Sequence, residues 1–203
     1  MSQIALPLPP AVSGKPQAIV TGSGNRAVAE ALMAPDTWPF HSAILMGPPR
    51  SGKSMLAKWF VDTGRGGAID GADREDETEL FHRWNRAQED GIALLLVVDG
   101  ERWDIALPDL QTRMRASLQL ILQPPDDALA AELMLAHSAA RGLALGEGAP
   151  AYLVPRMERS YAAIERVVAE IDRLSLERKV PATLSVWRDA LEAVQGPEQG
   201  RLL

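Results

Sequence analysis

Gly47-Pro48-Pro49-Arg50-Ser51-Gly52-Lys53-Ser54 has the spacing G-x-x-x-x-G-K-[ST], the pattern of a loop that cradles phosphate. Such a loop turns backbone N–H groups toward one point at the start of a helix, where the helix dipole adds partial positive charge. Pro49, Arg50, Ser51 and Gly52 form the cradle, Lys53 is the cation for the β- and γ-phosphates, and the Ser54 hydroxyl is a ligand for Mg²⁺. This chemistry also calls for a carboxylate at the tip of a neighbouring strand to hold the metal through water. Two candidates end apolar runs: Asp70 after Ala68-Ile69, and Asp99 after the longer run Ala93 to Val98.

The elements around these residues have the order the motif needs. Ser42 to Met46 is a short apolar run that enters the Gly-Pro-Pro turn, which predicts a buried strand, and a helix follows from Lys53 to about Phe60. An earlier helix is expected over Asn25 to Met33, stopped by Pro35. The Gly64–Gly67 link leads to a strand at 68–70. A polar helix runs from about Glu75 to Asp90, with Leu80, Phe81, Trp84 and Ala87 on its apolar side. Ala93 to Val98 reads as a central strand covered on both faces. Past Pro124-Pro125 the pattern becomes successive helices: one from Asp126 or Asp127 to Gly142, one from Ser160 to about Arg178, and one carrying Leu184, Trp187, Leu191 and Val194.

Composition narrows the function classes. The chain has 203 residues, 46% hydrophobic and 24% charged, enough for a buried core and one domain with a small appendage. Lys plus Arg number 21 against 27 Asp plus Glu, a formal charge of −6, which argues against coating nucleic acid through bulk positive charge. Cysteine is absent, removing disulfides, thiolate metal sites and thiol nucleophiles. No apolar run has membrane-spanning length and the N-terminus has no secretory pattern, so a cytoplasmic protein without membrane contact is expected. The proline-rich residues 1–16 predict an extended tail.

Further residues join the loop in a larger set: Ile19-Val20-Thr21-Gly22, Asn25-Arg26, Glu79-Leu80-Phe81-His82-Arg83-Trp84-Asn85, and Leu107-Pro108-Asp109-Leu110-Gln111-Thr112-Arg113. This set resembles the AAA+ module of the bacterial replication initiator DnaA, and more closely the short DnaA-related Hda family, regulatory inactivators of DnaA. The likeness runs from Gln3 to about Val194. It implies an α/β P-loop AAA+ fold, a three-layer parallel sheet over 17–122, and a small all-α helical lid over 123–203. It implies adenine nucleotide, ADP or ATP, with Ile19 and Val20 among its contacts. It makes Asp70 the magnesium-site carboxylate, with Asp73 second, and puts Asp99 at the tip of the strand that senses the nucleotide. It makes Arg113 an arginine finger, offered to the γ-phosphate of a nucleotide on a neighbouring subunit. Gln3, Ile4, Leu6 and Leu8 resemble the family's peptide for the DNA polymerase sliding clamp, its β subunit; a homodimer burying Leu6 and Leu8 is also compatible with this peptide.

The chain departs from the family pattern in three places. The short interval between Phe60 and Asp70 lacks room for a strand and helix, so a sheet of about four strands is expected instead of five. The family's acidic pair is Asp70-Gly71 here, without the second carboxylate that would polarise water. The lid arginine position holds Ala162, with Arg159 one turn away as a substitute or as a solvated helix charge. The resemblance therefore implies a regulator that binds nucleotide and clamp and stimulates hydrolysis of DnaA-bound ATP in trans, with weak or absent ATPase of its own. No sequence-specific DNA binding is expected, because no helix-turn-helix domain follows Val194. The alternatives are a self-contained P-loop ATPase or kinase for a small substrate, and an adaptor that works without nucleotide.

Overall fold

The computed structural model describes residue 22, residues 24–100 and residues 102–196. The chain divides into two compact units, with the break between Gln123 and Pro124.

In the first unit the elements run α1 (Arg26–Met33), β1 (Ser42–Met46), α2 (Lys53–Asp62), β2 (Gly67–Asp70), α3 (Glu77–Glu89), β3 (Leu94–Val97), α4 (Pro108–Ala116) and β4 (Leu118–Ile121). The strands form one four-stranded sheet in the order β2-β3-β1-β4, and every pairing is parallel. Leu94 of β3 stands opposite both Ser42 of β1 and Gly67 of β2, while Ala43 pairs with Leu118 of β4. The expected shortening to four strands is what the described residues show.

Alternation along the strands feeds two cores. Ala43, Leu45, Leu95, Val97 and Leu120 point to the side holding α1 and α2, where they meet Leu32, Leu56, Trp59 and Phe60. Ile44, Leu94, Leu96 and Val98 point to the other side, against Leu80 and Trp84 of α3 and Leu110 and Met114 of α4. All four residues of β3 are buried, which a parallel strand with helices on both faces requires. A buried hydroxyl pair, Ser42 Oγ to Ser117 Oγ at 2.8 Å, ties the start of β1 to the end of α4. Gly66 enters β2 against β3 so closely that a Cβ would lie 2.2 Å from the Ala93 carbonyl oxygen.

The second unit is helical: α5 (Asp127–Ala140), α6 (Ala149–Leu153), α7 (Tyr161–Arg178) and α8 (Leu184–Gln195). Its core gathers Met134, Leu153, Ile164, Val167, Val168, Ile171, Val186 and Ala190. Asp126 caps α5 by accepting from the Leu129 N–H at 2.7 Å, and Ser160 caps α7 by accepting from the Ala163 N–H at 3.2 Å. Each cap satisfies a donor that the helix itself leaves unpaired.

Three elements were not anticipated from the residue pattern. The Leu107–Arg113 block lies on α4, which begins at Pro108 and is followed at once by β4. Pro at the first helical position is pre-set for a helix start, and the buried pair Leu110 and Met114 sits at i,i+4, a signal too short to stand out in so polar a segment. Helix α6 has five residues, below the length at which periodicity can be read.

Candidate functional site: a phosphate-binding loop and its charged rim

The loop between β1 and α2 is shaped by its own backbone. Gly47 N–H donates to the Gly100 carbonyl at 3.2 Å, joining the loop to the tip of β3, and Ser51 N–H donates to Pro48 O at 3.3 Å. Arg50 has φ +64° and Gly52 φ +86°, so the chain coils tightly before α2 begins at Lys53. A left-handed conformation at a non-glycine residue costs about 1–2 kcal/mol; at Arg50 it serves the loop's curvature.

Lys53 is 6% exposed, and its Nζ donates to Gly47 O at 3.0 Å and Pro48 O at 3.2 Å. Its remaining direction faces Asp99, whose Oδ1 lies 3.6 Å away. Asp99 Oδ2 is 3.1 Å from Arg74 Nη1, and the Asp99 N–H donates to Asp73 Oδ1 at 3.2 Å. The carboxylate that meets the loop lysine is therefore Asp99. Asp70 ends β2, exposed, opposite Val97 of β3, and Val97 in turn stands opposite Leu45 of β1. Two strand spacings, about 10 Å, thus separate the Asp70 backbone from β1.

The residues of the loop suit phosphate. No side chain caps α2, which leaves its first N–H groups to an outside acceptor. Ser51 Oγ is buried without a hydrogen-bond partner, a polar atom that a phosphate oxygen would satisfy. Ser54 lies exposed in the first turn. Among the described residues no group of three or more His, Asp or Glu is arranged to hold a metal. An Mg²⁺ here would take its oxygens from Ser54, a single carboxylate, phosphate and water.

Arg113 occupies a different place from the loop residues. Its guanidinium lies 4.2 Å from the Phe81 ring centroid and 4.9 Å from that of Trp84, and Nη1 donates to Asp109 O at 3.3 Å. The start of its helix is held by Glu77 of α3, whose carboxylate accepts from Ala106 N–H at 2.9 Å and Leu107 N–H at 2.5 Å. The two N–H groups that precede Pro108 thus find their acceptor on another helix. In the helical unit, Arg159 makes a paired contact with Asp127: Nε to Oδ1 at 2.7 Å and Nη2 to Oδ2 at 3.2 Å.

In the sequence Phe81 and Trp84 mark only an apolar helix face, and Arg74 and Glu77 belong to no motif. The i,i+3 aromatic pair was visible; the arginine that covers it arrives from a separate helix. Gln3, Ile4, Leu6, Leu8, Ile19 and Val20 lie outside the described residues. On the α4 face of the sheet, a cavity of about 490 Å³ is lined by Ile44, Met46, Trp103, Ile105, Met114 and Arg115, among others, and by no residue of the loop. Among the described residues no helix is long and apolar enough to cross a membrane.

The chain matches no family model. Its structure is similar to domain III of the replication initiation protein DnaA from Thermotoga maritima, with a TM-score of 0.71 and 15% identity over 88% of this chain and 95% of that one. It is also similar to AMPPCP-bound DnaA from Aquifex aeolicus, with a TM-score of 0.61 and 15% identity over 79% of this chain. The match spans 66% of that DnaA chain. The Holliday junction branch migration motor RuvB of Thermotoga maritima aligns with a TM-score of 0.60 and 15% identity, covering 85% of this chain and 69% of that one. At these identities the shared property is the fold, and the protein has the AAA+ ATPase fold seen in DnaA and RuvB.

Proposed function

We propose that this protein is a nucleotide-binding regulator of replication initiation, of the Hda type, that stimulates hydrolysis of ATP held by DnaA. The observation that carries the reading is the pairing of a complete phosphate cradle with a defective hydrolytic position: the loop 47–54 is intact, while the residue after Asp70 is Gly71. Backbone N–H groups of residues 50–54, the Ser51 hydroxyl and Lys53 would hold the phosphates of ADP or ATP. Ser54 and Asp70 would hold Mg²⁺, which neutralises charge on the phosphate oxygens. Asp99, beside Lys53, keeps that lysine aligned.

Arg113 acts in trans in this reading. A guanidinium stabilises charge that develops on a transferring phosphoryl group, and Arg113 on α4 is half-buried. Gln3, Ile4, Leu6 and Leu8 bind the sliding clamp as an extended peptide: the glutamine hydrogen-bonds at a pocket rim and the aliphatic residues fill it.

The test is ATP turnover by DnaA with this protein and DNA-loaded clamp, with each component omitted in turn. Turnover that requires all three supports the reading. Turnover by this chain alone replaces it with a self-contained ATPase, and no turnover in any mixture overturns it.

A further inference from the structure

Gly71 is buried and has φ +75°. A Cβ there would lie 2.6 Å from Arg74 Nη2, 3.0 Å from Nε and 3.2 Å from Cζ. The Arg74 guanidinium therefore lies against the Gly71 backbone, in the space a side chain at position 71 would need. The same guanidinium is 3.1 Å from Asp99, and Asp99 is 3.6 Å from Lys53. Arg74 thus bridges the tips of β2 and β3 and is joined through one carboxylate to the lysine of the phosphate loop.

We propose that Arg74 is a phosphate-binding residue, the cation that this unit offers from its own chain to the terminal phosphate of a bound nucleoside triphosphate. The proposal rests on the nucleotide-binding reading above and deepens it. Gly71 makes room for the guanidinium, and Asp99 holds it at the strand tips. The Arg74 guanidinium has five N–H donors and turns Nη1 to Asp99, so it has donors over for an incoming anion, whereas the three of the Lys53 ammonium already face Gly47 O, Pro48 O and Asp99.

The chemical consequence separates holding from cleaving. A carboxylate at position 71 could polarise water for attack on a phosphate. A guanidinium stays protonated at neutral pH and has no acceptor, so it binds phosphate oxygen and cannot take a proton from water. Covering Gly71 with Arg74 gives a site that retains a triphosphate.

Calorimetric titration of the full chain with Mg²⁺-ADP and Mg²⁺-AMPPCP, the latter not cleaved, tests this. Arg74→Ala is expected to weaken AMPPCP binding about ten- to a hundredfold, the range for losing a charge-assisted contact, and ADP binding no more than about threefold. Arg74→Lys should recover part of the AMPPCP affinity. Because Arg74 is 69% exposed on its side chain, the unliganded variant should melt with the wild type. Equal weakening for both nucleotides would mean that Arg74 acts only by restraining Asp99 and Lys53, and would overturn the proposal, as would unchanged AMPPCP binding. Failure of the wild-type chain to bind either nucleotide would instead overturn the nucleotide-binding reading itself.

Discussion

The Arg113 guanidinium stacks on the Phe81 ring, 4.2 Å from its centroid, so an arginine on α4 is held by an aromatic on α3. Trp84 lies one turn further along the same helix face, 4.9 Å from the guanidinium. The contact fixes the resting position of the Arg113 guanidinium. An arginine so placed keeps its outer N–H donors while its planar face is occupied.

Phe81→Leu keeps an apolar side chain of similar bulk and removes the ring. It should destabilise the fold by about 0.5–1 kcal/mol through the lost cation–π contact, measured by urea unfolding. In an Arg113→Ala background the same change should cost less. A double-mutant cycle with zero coupling would show that the stacking contributes nothing to stability.

Arg113→Ala should abolish stimulation of DnaA ATPase with clamp association unchanged. Gel filtration with the clamp and a turnover assay on the same preparation check both halves. Normal stimulation by the variant would remove Arg113 from its proposed role.

ADP should raise the melting temperature of the wild-type chain, because a ligand that binds only the folded state stabilises it. At a hundred times its dissociation constant the gain is about 2.7 kcal/mol, roughly 5–11 °C for a chain of this size. Lys53→Ala should lose most of that shift. Equal shifts in both proteins, read by differential scanning calorimetry, would place the nucleotide elsewhere.

Gly66→Ala should be among the costliest single methyl additions in the first unit. The new Cβ would sit 2.2 Å from the Ala93 carbonyl and 2.8 Å from the Phe60 ring, so the backbone of β2 must move away from β3. Overpacking of this kind costs about 1–3 kcal/mol, checked by chemical denaturation. A neutral result would show that β2 shifts freely.

Acid should weaken the fold partly through Glu170. Its hydrogen bond from Arg173 and that residue's charge hold the carboxyl below its usual pKa, against an opposing push from burial. A carboxyl depressed in the folded state contributes stability above its unfolded pKa and loses it as pH falls through the folded one. Glu170→Gln should therefore flatten the decline in stability below about pH 4.5. The partners are surface groups, and the effect at neutral pH should stay under about 1 kcal/mol. Identical pH profiles for variant and wild type would assign the decline to other carboxylates.

What was legible in the sequence was what carries a strong local signal; the polar α4, the short β4 and the five-residue α6 did not. The phosphate loop is a contiguous string, and its flanking strand and helix announce themselves by an apolar run and by helical spacing. The buried strand Leu94–Val97 was visible as continuous hydrophobicity, and the short interval before Asp70, set against the family pattern the sequence resembles, implied a sheet of about four strands. The caps Asp126 and Ser160 stood where the helical periodicity began.

Tertiary structure decided what depends on strand order and on side chains from separate elements. Placing β3 between β1 and β2 brought Asp99 to Lys53 and set Asp70 two strand spacings from β1, which spacing along the chain does not encode. The same packing laid Arg113 on Phe81 and joined Glu77 to the start of α4. Arg74 lies against Gly71 at the tip of β2, where a Cβ would be 2.6 Å from its guanidinium, a contact that only the folded chain brings about.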